Sequence, residues 1–227
     1  MKVSDNLSKV ERQIELACKK SGRNREEINL IAVTKYVSNE RTQEAVAAGI
    51  NNLGENRPEG LLEKQRHIDG QVNWHYIGSL QTRKVKEIIE HVDYIHSLDR
   101  LSLAKEIQKR SKSAIRCFVQ VNASGEESKH GLKPEEAVPF IKALQNGDYG
   151  HIRVVGLMTM APLTDNEDQL RSCFKKMKRL QQEIVEMNIE QAPCTELSMG
   201  MSNDYGIAIE EGSTFIRIGT ALVGEDS

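Results

Sequence analysis

Hydrophobic positions along the chain follow two periods, and the change from one to the other marks the elements. From Leu7 to Lys20, the residues Leu7, Val10, Ile14, Leu16 and Ala17 recur at helical spacing before Ser21-Gly22, which predicts an opening amphipathic helix with a glycine stop. Asn29 to Thr34 is a short, nearly continuous apolar run rich in β-branched residues, the pattern of a strand buried on both faces of a parallel sheet. Ser38 then reads as an N-cap for a helix over Asn39 to Ala48 that Gly49 closes, and Ile50 to Leu53 reads as a second strand. The alternation continues with strands near Val72 to Ile77, Tyr94 to His96, Ile115 to Val121, Arg153 to Met158, Glu196 to Ser198 and Phe215 to Ile218. Helices are predicted over Pro58 to His67, Leu80 to His91, Leu101 to Ser111, Pro134 to Asn146, Asn166 to Met187 and Asp204 to Glu210.

Eight short strands in strict alternation with helices predict an α/β fold of the closed (β/α)8 type, a TIM-like barrel. An open doubly wound sheet shares the local pattern, and the number of very short strands favours the barrel. The 227 residues carry no Pro/Gly/Ser-rich linker, low-complexity tract or internal repeat, so residues 1–227 read as one domain. The longest irregular stretch, Asn122 to Lys133, is expected to cover the barrel mouth.

Composition narrows the function. The 31 Lys and Arg against 33 Asp and Glu leave no basic excess for a nucleic-acid partner. Cys18, Cys117, Cys173 and Cys194 are scattered without C-x-x-C spacing, which argues against a zinc site or a disulfide framework and for reduced thiols in the cytoplasm. No apolar run spans a bilayer, and Asp5, Lys9, Glu11 and Arg12 break up the N-terminal segment where a signal peptide would need an apolar stretch. The sequence carries no G-x-G-x-x-G, P-loop, G-x-S-x-G or H-E-x-x-H pattern.

Active sites of such barrels lie at the C-terminal ends of the strands. Lys35 directly follows the first strand, aimed at the mouth, where apolar walls would depress its pKa and leave a neutral amine able to attack an aldehyde. A solvated surface lysine is the commoner situation, so the reading needs an anion site nearby. Leu197 to Asp204 after the seventh strand brings hydroxyls, Ser202 among them, and backbone N–H groups to a helix start, and Arg217-Ile218-Gly219-Thr220 ends the eighth strand. Ordinary capping explains Ser202 and Thr220 singly; together with Lys35 they suit a phosphorylated aldehyde. Arg217 alternates with Ile216 and Ile218, so it points into the barrel mouth, where a pyridine nitrogen is a suitable acceptor. Asn56 and His75 end or lie on the second and third strands and are placed to touch a ring or to serve as satisfied structural groups.

Six segments taken in register carry a resemblance over nearly the whole chain: Ala32-Val33-Thr34-Lys35, Gly54-Glu55-Asn56, Trp74 to Gly78, Gly156 to Met160, Leu197 to Ser202 and Gly212 to Thr220. They resemble the pyridoxal phosphate homeostasis protein family. The resemblance implies a fold type III barrel similar to the N-terminal domain of alanine racemase, without that enzyme's β-domain. It implies pyridoxal 5′-phosphate (PLP) as cofactor, Lys35 as the lysine that forms the Schiff base, Arg217 facing the pyridine nitrogen, and Ser202, Gly219 and Thr220 holding the phosphate. Asn56, His75, Met158, Ser198 and Met201 are carried over as further cofactor contacts. Ser79, where proline often follows the Ile-Gly pair, and Leu222-Val223-Gly224, where an aromatic usually precedes the glycine, depart from the family pattern.

A guanidinium keeps its own proton and cannot protonate a ring nitrogen as a carboxylic acid would, so an Arg217-bound cofactor is a poor electron sink. The racemases related to the family also draw a tyrosine base from a second domain, for which this chain shows no counterpart. The resemblance therefore implies a carrier that buffers PLP and supplies it to apo-enzymes, a monomer or weak homodimer, with little turnover. A PLP-dependent racemase or decarboxylase, and a sugar-phosphate barrel using Lys35 as an aldolase-type amine, are the competing readings.

Overall fold

A computed structural model describes residues 2–126 and 128–224. The strands are β1 (Asn29–Val33), β2 (Asn52–Glu55), β3 (Asn73–Tyr76), β4 (Tyr94–Leu98), β5 (Ile115–Gln120), β6 (Ile152–Met158), β7 (Glu196–Ser198) and β8 (Phe215–Ile218). They form a closed barrel in sequence order. Every neighbouring pair is parallel, and β1 closes on β8 with Asn29 opposite Phe215 and Ala32 opposite Ile218. The helices are α1 (Val3–Ser21), α2 (Asn39–Ala47), α3 (Pro58–His67), α4 (Val85–Ile88), α5 (Leu101–Arg110), α6 (Pro134–Asn146), α7 (Glu167–Glu186), α8 (Tyr205–Glu210) and α9 (Thr220–Val223). The predicted barrel is the one found.

Local chemistry explains most boundaries. The α1 helix ends at Gly22, whose φ of 69° and N–H bond to the Cys18 carbonyl make a left-handed stop. Ser38 accepts from the Arg41 N–H to start α2, Asn166 does the same for Gln169 at α7, and Pro58 and Pro134 occupy first-turn positions of α3 and α6. The buried stripe of α1 is Val3, Val10, Ile14, Ala17 and Cys18, while Leu16 falls off it and is exposed. The helix predicted over Leu80 to His91 is much shorter. Leu80 is buried, Thr82–Lys84 form a 3-10 turn, and only Val85–Ile88 are α-helical. The second strand begins at Asn52 rather than Ile50, because the Ile50 N–H is used by the Ala45 carbonyl to end the preceding helix.

Two apolar layers result. One lies between barrel and helices; the other fills the barrel with Ile31, Phe118, Val155, Met158 and Phe215, against which Tyr94 packs. The loop from Asn122 to Lys133, of which Glu127 lies outside the described residues, folds back on its own strand through the Asn122 N–H to Leu132 carbonyl and Leu132 N–H to Gln120 carbonyl bonds. Cys18, Cys117, Cys173 and Cys194 are free and buried. Burial pushes the Cys173 thiol up to about 11 and the Cys194 thiol up to about 12. No helix among the described residues is long and apolar enough to cross a membrane.

Candidate cofactor site at the barrel mouth

A cleft of about 630 Å³ opens at the C-terminal ends of the strands. Lys35, Asn56, Met158, Met201, Ser202, Arg217, Gly219 and Thr220 all line it. Their convergence from the ends of β1, β2, β6, β7 and β8 is a property of the closed barrel, since these positions are far apart in sequence. A concavity of similar size, about 650 Å³, lies beside the N-terminal end of β3 and is lined by Asn51, Gln65 and Trp74 among others. No lysine lines it among the described residues.

Lys35 is exposed and its Nζ sits 4.8 Å from the centroid of the Tyr36 ring, which is itself 67% exposed. The apolar walls expected around this amine are therefore not there. What is buried is the backbone behind it. Lys64 Nζ donates to the Thr34 carbonyl (2.5 Å) and to Glu55 Oε1 (2.8 Å), and the Thr34 hydroxyl donates to the same carboxylate oxygen (2.5 Å). This ion pair, 7% and 1% exposed, clamps the residue immediately before Lys35.

Asn56 is held from β3. The Tyr76 hydroxyl donates to its carbonyl (3.1 Å), and a Cβ at position 78 would lie only 2.5 Å from that oxygen, so Gly78 is what permits the approach. The side-chain Oδ1 of Asn56, like Ser97 Oγ, is buried without a hydrogen-bond partner among the described residues. Gly219 differs from Gly78. A Cβ there would meet only Val33, at 3.7 Å or more, so protein packing does not demand glycine, and the missing side chain leaves the backbone open to the cleft.

The β7–α8 loop is shaped by Asp204, whose Oδ1 accepts from the Met201 N–H (2.5 Å). The N–H groups of Ser202 and Asn203 donate to nothing among the described residues and remain available to an anion. Burial pushes the Asp204 carboxyl up, opposed by the Met201 amide and the Arg217 charge. In α9, the Leu222 and Val223 N–H groups both donate to the Gly219 carbonyl, which leaves those of Thr220 and Ala221 without a partner among the described residues.

Arg217 is 5% exposed; its Nη1 donates to Ser198 Oγ (2.5 Å) and its Nη2 to the Thr159 carbonyl (2.9 Å). Burial pulls its guanidinium down to about 10, partly offset by Asp204. It remains charged at neutral pH.

Two expected contacts do not line the cleft. His75 and Ser198 are fully buried beneath it, joined through His96 in the barrel interior. Sequence reasoning passed over His96, although its period-two spacing from Tyr94 puts it on the inward face. The cleft wall was also misplaced. No described residue of the Asn122 to Lys133 loop lines the cleft; Met160, Ala161, Pro162, Leu163, Thr164 and Asp165, which follow β6, do. Lys129 ties the two segments by donating to the Ala161 carbonyl (2.7 Å).

A parallel eight-stranded barrel with a lysine after β1, an arginine on β8 and hydroxyl- and glycine-bearing loops after β7 and β8 defines the class of alanine-racemase-like barrels, and the alanine racemase N-terminal domain family matches residues 6–227. The pyridoxal phosphate homeostasis protein of Aquifex aeolicus is 40% identical over 99% of this chain and 99% of its own. The structure of PipY from Synechococcus elongatus with PLP bound superposes with a TM-score of 0.83 at 28% identity, covering 98% of this chain and 100% of that one. Alanine racemase of Clostridium difficile shares the fold, with a TM-score of 0.78 at 16% identity, and this chain covers 56% of it. The chain belongs to the pyridoxal phosphate homeostasis protein family.

Proposed function

We propose that this chain binds pyridoxal 5′-phosphate at the barrel mouth as a Schiff base on Lys35, and buffers and supplies it in vitamin B6 homeostasis with little or no turnover of its own. The observation that carries the reading is the convergence on one cleft of a lysine, an always-charged arginine and two loops with open backbone N–H groups. The relatives' PLP-related function and the PLP-bound PipY structure support it.

When bound, the cofactor supplies an aldehyde carbon for amines and an electron-withdrawing ring. Lys35 Nζ is the covalent attachment point. Arg217 donates toward the ring nitrogen and keeps its proton, which holds the ring's electron-withdrawing power low. Ser202, Gly219 and Thr220, with the Ser202 and Asn203 N–H groups, take the phosphate. Asn56 meets a polar ring substituent, and Met158 and Met201 supply apolar contact. His75 and Ser198 serve from below rather than by contact. All of this sits in one domain in the cytoplasm, as a monomer or weak homodimer, and the exposed Lys35 suits release to apo-enzymes.

The test is a visible absorbance spectrum of purified protein with PLP added, before and after borohydride, followed by peptide mapping. A chromophore trapped on Lys35 is expected. No chromophore at saturating PLP overturns the reading in favour of a sugar-phosphate site, and sustained conversion of a single amino acid, read by chiral analysis, overturns the carrier role in favour of an enzyme.

A further inference from the structure

Five buried polar side chains cross the barrel interior from β8 to β2. Arg217 Nη1 lies 2.5 Å from Ser198 Oγ, Ser198 Oγ 2.9 Å from His96 Nδ1, His96 Nε2 2.9 Å from His75 Nδ1, and His75 Nε2 3.0 Å from Asn52 Oδ1. None of the five is more than 7% exposed, so the row is shut off from bulk solvent. We infer that this row is a one-way hydrogen-bond relay in which His96 and His75 are positioning residues, fixing Ser198 as an acceptor and thereby the Arg217 guanidinium at the floor of the cleft. The functional part rests on Arg217 facing the ring nitrogen, as proposed above.

Direction follows from the charged end. A guanidinium has donors and no acceptor, so Ser198 Oγ must accept from Arg217. The single hydroxyl proton has His96 Nδ1 as its acceptor in the row, and the arrangement that leaves no buried proton unbonded makes that nitrogen a lone pair. His96 therefore carries its proton on Nε2 and gives it to His75 Nδ1. By the same step His75 is protonated on Nε2 and donates to Asn52 Oδ1. That oxygen also accepts from Asn73 Nδ2 (3.1 Å), while Asn52 Nδ2 donates to Asn51 Oδ1 (3.0 Å). Reversing the row leaves the Ser198 hydroxyl proton without an acceptor in the row and sets the His75 Nε2 lone pair against Asn52 Oδ1, and a buried bond left unmade is costly.

An added proton on either ring breaks the row in the same way. The charged groups acting on the pair are cationic: Arg116 beside His75 and Arg217 beside His96, with the Asp204 carboxyl acting on Arg217. Aromatic rings pack against both imidazoles. His75 stacks on Tyr94 with ring centroids 4.4 Å apart and planes within 4°, and His96 stacks on Phe118 at 4.4 Å. Burial and these cations hold both imidazoles well below their ordinary range, in keeping with a relay of neutral rings. What the row does for the cleft is geometric. The Thr159 carbonyl anchors one end of the guanidinium, and a hydroxyl whose own proton is already committed anchors the other.

Nitrogen-15 spectra of histidine-labelled, cofactor-free protein test the relay directly. Two imidazoles protonated at Nε2 and bare at Nδ1, unchanged from pH 5 to 8, are expected for His75 and His96. Protonation of either at Nδ1, or a titration within that range, overturns it. The positioning role is tested with PLP. His96→Phe keeps the ring stack and removes the acceptor for Ser198; it is expected to weaken PLP binding roughly ten-fold and move the visible maximum, with the Lys35 adduct still forming. His96→Gln, whose amide can accept from Ser198 and donate to His75, is expected to recover most of both. Wild-type affinity and spectrum in folded His96→Phe overturn the positioning role. Failure of the wild-type protein to take up PLP refutes the site reading instead, and the nitrogen-15 result then decides the relay alone.

Discussion

Lys35 and Arg217 illustrate how differently one cleft treats two cations. The lysine is exposed and held only through the backbone behind it, whereas the arginine is buried and fixed at both ends. On the proposed reading, covalent attachment and non-covalent recognition therefore reside on separate groups. Lys35→Ala is expected to abolish the borohydride-stable adduct while leaving measurable PLP binding, because Arg217, Ser202, Gly219 and Thr220 stand on other elements. Equilibrium dialysis and intact-protein mass before and after reduction check this, and an adduct surviving in the variant would place the attachment elsewhere. At this scale Arg217 was legible because one charged residue between Ile216 and Ile218 reverses the alternation of a buried strand. His96 was not, since His-Ser between Ile95 and Leu98 reads as the end of a strand until the barrel shows which side faces inward. The exposure of Lys35 was also invisible, because a strand-end position says nothing of the walls that neighbouring loops supply.

Among elements, β1 and α3 are joined more tightly than their apolar surfaces alone require. Lys64, Glu55 and the Thr34 carbonyl form a closed buried set, and removing one charge leaves the other stranded. Lys64→Met is expected to cost about 3–5 kcal/mol by urea denaturation, and the double change Glu55→Gln with Lys64→Met to recover a large part of it. A double variant as unstable as the single one would show that the stem of Lys64, not its charge, is what matters. Element types came through most clearly where a strand is an apolar run, as in β1 and β6, or a helix is amphipathic, as in α1 and α7. The failures fall where a tertiary contact outranks the local pattern. Leu80 is drawn into the core and delays a helix that its neighbours favour, and the wall of the cleft comes from the segment after β6, whose place beside Lys129 no periodicity encodes.

For the molecule as a whole, the two interior imidazoles set a dependence of stability on pH. Burial first, and the Arg116 charge second, push His75 down to about 3 from an ordinary value near 6.5, and His96 moves in the same direction. The unfolded chain then binds protons that the folded one refuses. The contribution is fully present above about pH 6.5 and is lost as pH falls toward 3, by about 1.4 kcal/mol per pH unit for His75. Denaturation of wild type and His75→Phe at pH 7 and pH 5 checks the sign: the wild type should lose more on acidification than the variant, and parallel losses would refute it. The closure of β1 on β8 bears on synthesis. Asn29 and Leu30 have Phe215 and Ile216 as their ladder partners, so a nascent chain keeps one edge of β1 unpaired until β8 has been made. Lys35 is translated before Arg217, and the floor and walls around them come together only when that seam shuts, which leaves a chain still lacking β8 without the pocket that the closed barrel offers.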